Sequence, residues 1–297
     1  SAVQFAYMGI VPVGPDQIMG TDGDDILVGT PFSDVIAAYS GNDIVLARES
    51  DDVIDGGDGD DRIVGGDGDD VIYAGAGHDI VWGGNGDDTV HGGAGNDLIF
   101  GDAGRDTLFG DDGDDQISGG DGNDAISGGA GIDSLSGDNG DDLILGGDGY
   151  DDLDGGSGDD IMSGDTGDDS VLGGAGNDIA VATIDDGNDS YDGGSGLDTY
   201  DLSATSAAAI VNLTTGNASS AEIGTDTITD VENVRGGQGD DAYTGNTEDN
   251  AIIANNGNDV IYAFANDGND YYDGGNGSDT YDISATSADA LIDLVNG

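Results

Sequence analysis

An aspartate recurs every nine residues along more than half of this chain. The series runs Asp25, Asp34, Asp43, Asp52, Asp61, Asp70, Asp79, Asp88, Asp97, Asp106, Asp115, Asp124, Asp133, Asp142, Asp151, Asp160, Asp169 and Asp178. Of 64 acidic residues only Glu49, Glu222, Glu232 and Glu248 are glutamate. A short carboxylate arm on a turn-compatible backbone suits tight turns and hard-cation sites. Carboxylate pairs such as Asp69–Asp70 and Asp87–Asp88 recur too often to be a unique acid–base couple, and their repetition points to ion ligation.

The aspartates belong to a nine-residue unit that starts at Gly20 and runs without a gap through residue 181, giving 18 units with Asp at position six. Position four is glycine except at Phe32 and Ser50, and position eight is aliphatic or Met except at Ala180. Glycines at positions one, two and four permit positive φ and let carbonyl oxygens approach a ligand closely. The three residues after each Asp predict a short strand, with position eight inward and positions seven and nine outward. Two units then make one 18-residue coil, and the expected fold is an all-β parallel solenoid with two nonapeptides per coil.

Such a core is thin, with one aliphatic side chain per unit: Leu27, Ile36, Val45, Ile54, Ile63, Ile72 and onward. Each contributes ~1.5–3 kcal/mol when buried, whereas ordering the backbone costs roughly 1–2 kcal/mol per residue. Glycine-rich turns carrying carboxylates do not order unaided on these terms. Calcium closes the gap, because metal-binding energy appears as folding energy.

The regular copies at 56–64, 65–73, 83–91, 92–100 and 155–163 resemble the repeats-in-toxin nonapeptide G-G-x-G-x-D-x-U-x, a calcium-binding parallel β-roll. The resemblance implies several calcium ions lying between turns of successive coils, with position-six carboxylates and glycine-turn carbonyls as ligands. All-oxygen ligation suits calcium over zinc or copper. An EF-hand does not fit the spacing of the acids. Units two to four depart most, through Pro31, Phe32, Tyr39, Arg48, Glu49 and Ser50.

Three segments are expected: 1–19, a coil-completing or assembly strand; 20–181, the regular roll; and 182–297, an irregular solenoid. Residues 182–216 recur at 263–297 with 22 of 35 positions identical. Residues 202–235 carry no metal-binding turn pattern and read as longer strands and loops. In the irregular block Asp189, Asp198, Asp241, Asp259, Asp270 and Asp279 keep position six and are secondary calcium candidates, while Asn250 replaces Asp. Nineteen residues lead from 216 to the nonad at Gly236, and nineteen precede Gly20. Two readings follow: head-to-tail assembly of copies, or a piece of a longer chain.

The formal net charge is −60, and the four basic residues are all arginine. Self-repulsion on this scale opposes compaction unless counterions are bound, and it disfavours nucleic acid and anionic membranes as partners. An acidic disordered tail is the competing reading of 59 glycines and this charge, but the regular Ile, Leu and Val positions argue against it. There is no cysteine, and no apolar run approaches the roughly 18 residues of a membrane span.

No enzyme is expected: neither H-E-x-x-H nor G-x-S-x-G occurs, and His78 and His91 read as solvated repeat variants. Ile26/Val28, Ile44/Leu46, Val64, Ile80/Trp82 and Leu98/Phe100 fall on one outward face. That face reads either as a lateral self-association surface centred on Trp82 and Phe100 or as plain β-propensity. The expected protein is an extracellular bacterial structural component of a surface layer, matrix or filament, reached by type I secretion as the resemblance implies. The alternative is a noncatalytic module of a larger secreted adhesin or enzyme.

Overall fold

The computed structural model describes residues 3–5, 16–264 and 268–285. They fall into two compact units, 1–152 and 153–297, and no helix occurs among the described residues. Both units are parallel β-solenoids.

In the first unit the strands from residue 16 onward pair in parallel with the strand one coil away, at a register of 18 residues. Val45 faces Ile63, Ile63 faces Val81, and Val81 faces Ile99 on one sheet; Ile54, Ile72, Val90 and Leu108 do so on the other. These position-eight side chains are fully buried, so the inward assignment and the two-nonad coil both hold.

The strands are longer than the three residues expected. Arg62–Asp67, Val71–Ala76, Ile80–Asn85 and Thr89–Ala94 are each six residues, because the ladder continues through positions one to three of the next unit. Position one also faces inward, where Ala38, Ala47 and Ala74 are buried. From the third nonapeptide unit on, position two takes a left-handed backbone. Gly75 has φ 119°, and a Cβ there would collide with the carbonyl oxygen of Gly57 one coil below. Tyr39, Arg48 and Ser50 adopt positive φ (78°, 100° and 76°) without being glycine, so units three and four keep the turn at a conformational cost.

The solenoid begins before the first nonad. Asp16–Met19 pairs with Asp34–Ala37 at the same 18-residue register, and Val3–Phe5 pairs in parallel with Ile26–Val28. The rest of 1–19 lies outside the described residues, as does 286–297, so the proposed joining of the two ends falls largely outside them.

In the second unit coil length varies. Ser170–Ala175 meets Ser190–Asp192 at a register of 20, the two extra residues of 182–192 being taken up in the turn. The block 202–235 forms short strands. Asn217–Ser220 runs antiparallel to both Ile210–Asn212 and Gly224–Thr229, inserting an antiparallel strand into an otherwise parallel sheet. Beyond it Ala242–Thr244 and Val260–Phe264 resume the 18-residue register. Here the core changes character: Tyr191, Tyr200 and Tyr243 are buried where the regular nonads place aliphatic residues.

Candidate metal centres

The position-six aspartates stack into columns. In the first unit one column holds Asp25, Asp43, Asp61, Asp79, Asp97, Asp115, Asp133 and Asp151. The backbone N–H of each donates to Oδ1 of the next at 2.6–2.9 Å. The other holds Asp34, Asp52, Asp70, Asp88, Asp106, Asp124 and Asp142, linked in the same way at 2.6–2.8 Å. The carboxylates lie inside the wall of the roll, with the residues no more than 3% exposed.

One carboxylate oxygen is thus held by the backbone. The second, Oδ2, is buried without a hydrogen-bond partner at Asp43, Asp52, Asp61, Asp70, Asp79, Asp88, Asp97, Asp106, Asp115, Asp124 and Asp133, and in the second unit at Asp178, Asp198 and Asp259. An unpaired buried carboxylate oxygen is costly, and normally the group is neutralised or meets a cation. Burial, the largest cause, pushes Asp52, Asp61, Asp88 and Asp97 up to about 7 and Asp70, Asp79, Asp106, Asp115 and Asp133 up to about 6. The N–H donated from the preceding coil partly offsets it, and neighbouring carboxylates add to it in most of these groups.

The surroundings of Oδ2 are oxygen-lined. A Cβ on Gly65 would meet both Asp70 Oδ2 and the carbonyl oxygen of Gly83; one on Gly101 would meet Asp106 Oδ2 and Gly119 O. Glycine at these two positions leaves both oxygens facing the same space. Among the described residues no group of three or more His, Cys, Asp or Glu side chains converges as a metal site. An ion held here must therefore take most of its ligands from backbone carbonyls, as a hard cation accepts and a soft one does not. The donor set fits calcium.

The first two units differ. Asp25 Oδ2 and Asp34 Oδ2 accept the backbone N–H of Thr21 and Thr30, both at 2.6 Å, so threonine at position two closes them locally. Asp43 and Asp52, in the irregular third and fourth units, keep Oδ2 unpartnered despite their altered turns.

In the second unit Asp160, Asp178 and Asp198 form one run and Asp169 and Asp189 another. Asp241, Asp259 and Asp279 form a third, while Asp270 follows Asn250. Two residues outside the predicted set extend these runs. Glu232 Oε2 accepts the N–H of Asp198 at 2.9 Å, and Asp226 Oδ1 that of Asp189 at 3.1 Å. Their signal lies in D-T-I-T and E-N-V-R, which repeat the acid–x–aliphatic–x pattern without glycine at positions one and two before it; Asp226 alone keeps the position-four glycine, Gly224. Asp186 is a third omission; it is fully buried beside Tyr191, and burial raises it to about 8.

Both histidines are built into the repeat. His78 Nδ1 accepts the N–H of Asn96 at 2.8 Å, taking a place in the outer position-five ladder with Asp60 and Asn96. His91 is stacked between Tyr73 and Phe109, with ring centroids 5.3 and 4.5 Å away, and its Nδ1 lies 3.2 Å from Asp111. On the opposite sheet Trp82 stacks on Phe100 at 5.9 Å. Ile26, Ile44 and Leu46 are exposed on that face, but Val28 is buried, in the strand that pairs with Val3–Phe5.

A parallel roll whose wall is built from stacked aspartates on glycine turns defines a repeat-built, cation-binding solenoid. The model of the RTX calcium-binding nonapeptide repeat matches residues 19–54, 46–81, 55–90, 82–117, 118–153, 151–180, 235–263 and 263–281. The matches cover more than half of the chain, which belongs to this family and carries its calcium-binding repeats. No curated protein matches the sequence.

Proposed function

We propose that this chain is an extracellular structural protein of a bacterium that folds on binding many calcium ions, the position-six aspartates of the regular nonads supplying the carboxylate ligands. The observation that carries this reading is the run of buried Oδ2 atoms without partners, from Asp43 to Asp133. A chain of formal charge −60 does not hold such a column together without bound counterions. Glycine-turn carbonyls complete each coordination shell, and the nonads at 20–181 act as one calcium-built block followed by an irregular block. The repeated carboxylates serve binding, and no reaction is assigned to them. The role is mechanical: a rod that hardens where calcium is plentiful, with secretion favouring such an arrangement because the chain stays unfolded until it meets the ion.

Equilibrium dialysis against calcium, with small-angle scattering on the same samples, tests this. Uptake of many ions per chain together with a sharp fall in radius of gyration is expected. Uptake of only one or two, or compaction that precedes binding, contradicts it.

A further inference from the structure

Position eight is never tyrosine in the units of 20–181, but it is in Asp189-Ser-Tyr191, Asp198-Thr-Tyr200, Asp241-Ala-Tyr243, Asp270-Tyr-Tyr272 and Asp279-Thr-Tyr281. Four of these hydroxyls go to carboxylates, while that of Tyr281 accepts the N–H of Gly274. Tyr191 donates to Asp189 Oδ2 at 3.0 Å, Tyr243 to Asp241 Oδ2 at 2.6 Å and Tyr272 to Asp270 Oδ2 at 2.8 Å. Tyr200 donates across the coil to Asp226 Oδ2.

At Asp189, Asp241 and Asp270 the phenol therefore lands on the oxygen that lacks a partner at aliphatic units such as Asp61 beside Ile63 or Asp259 beside Ile261. Asp198 Oδ2 stays without a partner because Tyr200 turns to Asp226. It also takes the same space. A Cβ on Gly236, position one of its unit, would meet the Tyr243 hydroxyl, whereas one on Gly65 or Gly101 would meet the aspartate oxygen itself.

A buried carboxylate with both oxygens hydrogen-bonded no longer requires a cation to offset its burial. We propose that the units Asp189-Ser-Tyr191, Asp241-Ala-Tyr243 and Asp270-Tyr-Tyr272 use a phenol where the regular nonads use calcium, so that they hold their fold at calcium concentrations at which the regular nonads lose theirs. This rests on the calcium-driven folding proposed above, and it sets Asp189, Asp241 and Asp270, capped from within, apart from the ion-dependent run Asp43 to Asp133, whose Oδ2 atoms lack partners. The irregular block then acts as a standing template from which the calcium-dependent coils are rebuilt as the ion returns.

Hydrogen exchange read by mass spectrometry across a calcium titration of the full chain tests it. Amides of Ser190–Asp192 and Ala242–Thr244 should become protected at about tenfold less calcium than those of Arg62–Asp67 and Leu98–Ala103. The double substitution Tyr191→Phe/Tyr243→Phe, which removes only the hydroxyls, should raise the midpoint of the first pair by about tenfold and leave that of the second unchanged. Equal midpoints in the wild-type chain, or Phe variants that shift nothing, overturn the division while leaving calcium-driven folding intact. Full protection of Arg62–Asp67 in chelator overturns both.

Discussion

The backbone N–H of Asp61 donates to Oδ1 of Asp79, one full coil further along, at 2.7 Å. One side chain thus does two jobs. Its first oxygen fastens neighbouring coils, and its second is turned into the wall without a partner. The two jobs separate on substitution. Asp79→Asn keeps an acceptor for the Asp61 N–H but loses the charge that attracts a cation, so calcium affinity falls while the metal-free chain is not further destabilised. Asp79→Ala also strands that N–H, at a further cost of about 1–3 kcal/mol. Urea unfolding in saturating calcium should rank wild type above Asn and Asn above Ala.

Stability without metal should depend on pH in the direction opposite to ordinary acid denaturation. Asp52, Asp61, Asp88 and Asp97 are raised to about 7, and Asp70, Asp79, Asp106, Asp115 and Asp133 to about 6, from an ordinary value of 3.8. The folded state then binds more protons than the unfolded one, so this stabilisation is complete below about pH 3.8 and is lost as pH rises through 6 to 7. In chelator the β signal in circular dichroism should grow on acidification from pH 8 to pH 4. In calcium the same protons compete with the ion, and apparent affinity should fall below pH 7.

Arg48 sits at position two of its unit with φ 100°, a backbone conformation that glycine adopts freely. Arg48→Gly should stabilise the calcium-loaded chain by about 1 kcal/mol through relief of that strain, measured by thermal melting in calcium. No gain would mean that the Arg48 side chain offsets its backbone.

Trp82 and Phe100 stack on each other on the outward face that also carries the exposed Ile44 and Leu46 two strands away. If lateral association of copies uses this face, Trp82→Ser/Phe100→Ser should abolish any concentration-dependent species in sedimentation velocity with calcium present. It should also cost about 0.5–1.5 kcal/mol of stability from the lost ring pair. Association that persists unchanged places the contact elsewhere.

The period of nine, the pairing of units into 18-residue coils and the inward position eight were all legible in the sequence, because each depends on residues within one or two units. Strand length was misread. Glycine at positions one and two signals a turn locally, but its backbone continues the ladder to the next coil. Asp226 and Glu232 escaped for a related reason. Each lies 37 or 34 residues from the aspartate whose N–H it accepts, at a spacing set by the antiparallel insertion at Asn217–Ser220. The phenol caps were equally hidden, since Tyr191 reads as a large core residue until its hydroxyl is found on Asp189.

The most direct test of calcium-built folding uses Trp82, the only tryptophan, which lies in the regular nonads. Its emission and the far-ultraviolet circular dichroism of the full chain should be followed at pH 7.5 as calcium is added to chelated protein. Coil-like dichroism and solvent-exposed tryptophan emission are expected in chelator. Both should convert cooperatively to β structure and a shifted emission as calcium rises. A β spectrum and folded emission that persist in chelator at that pH would contradict it.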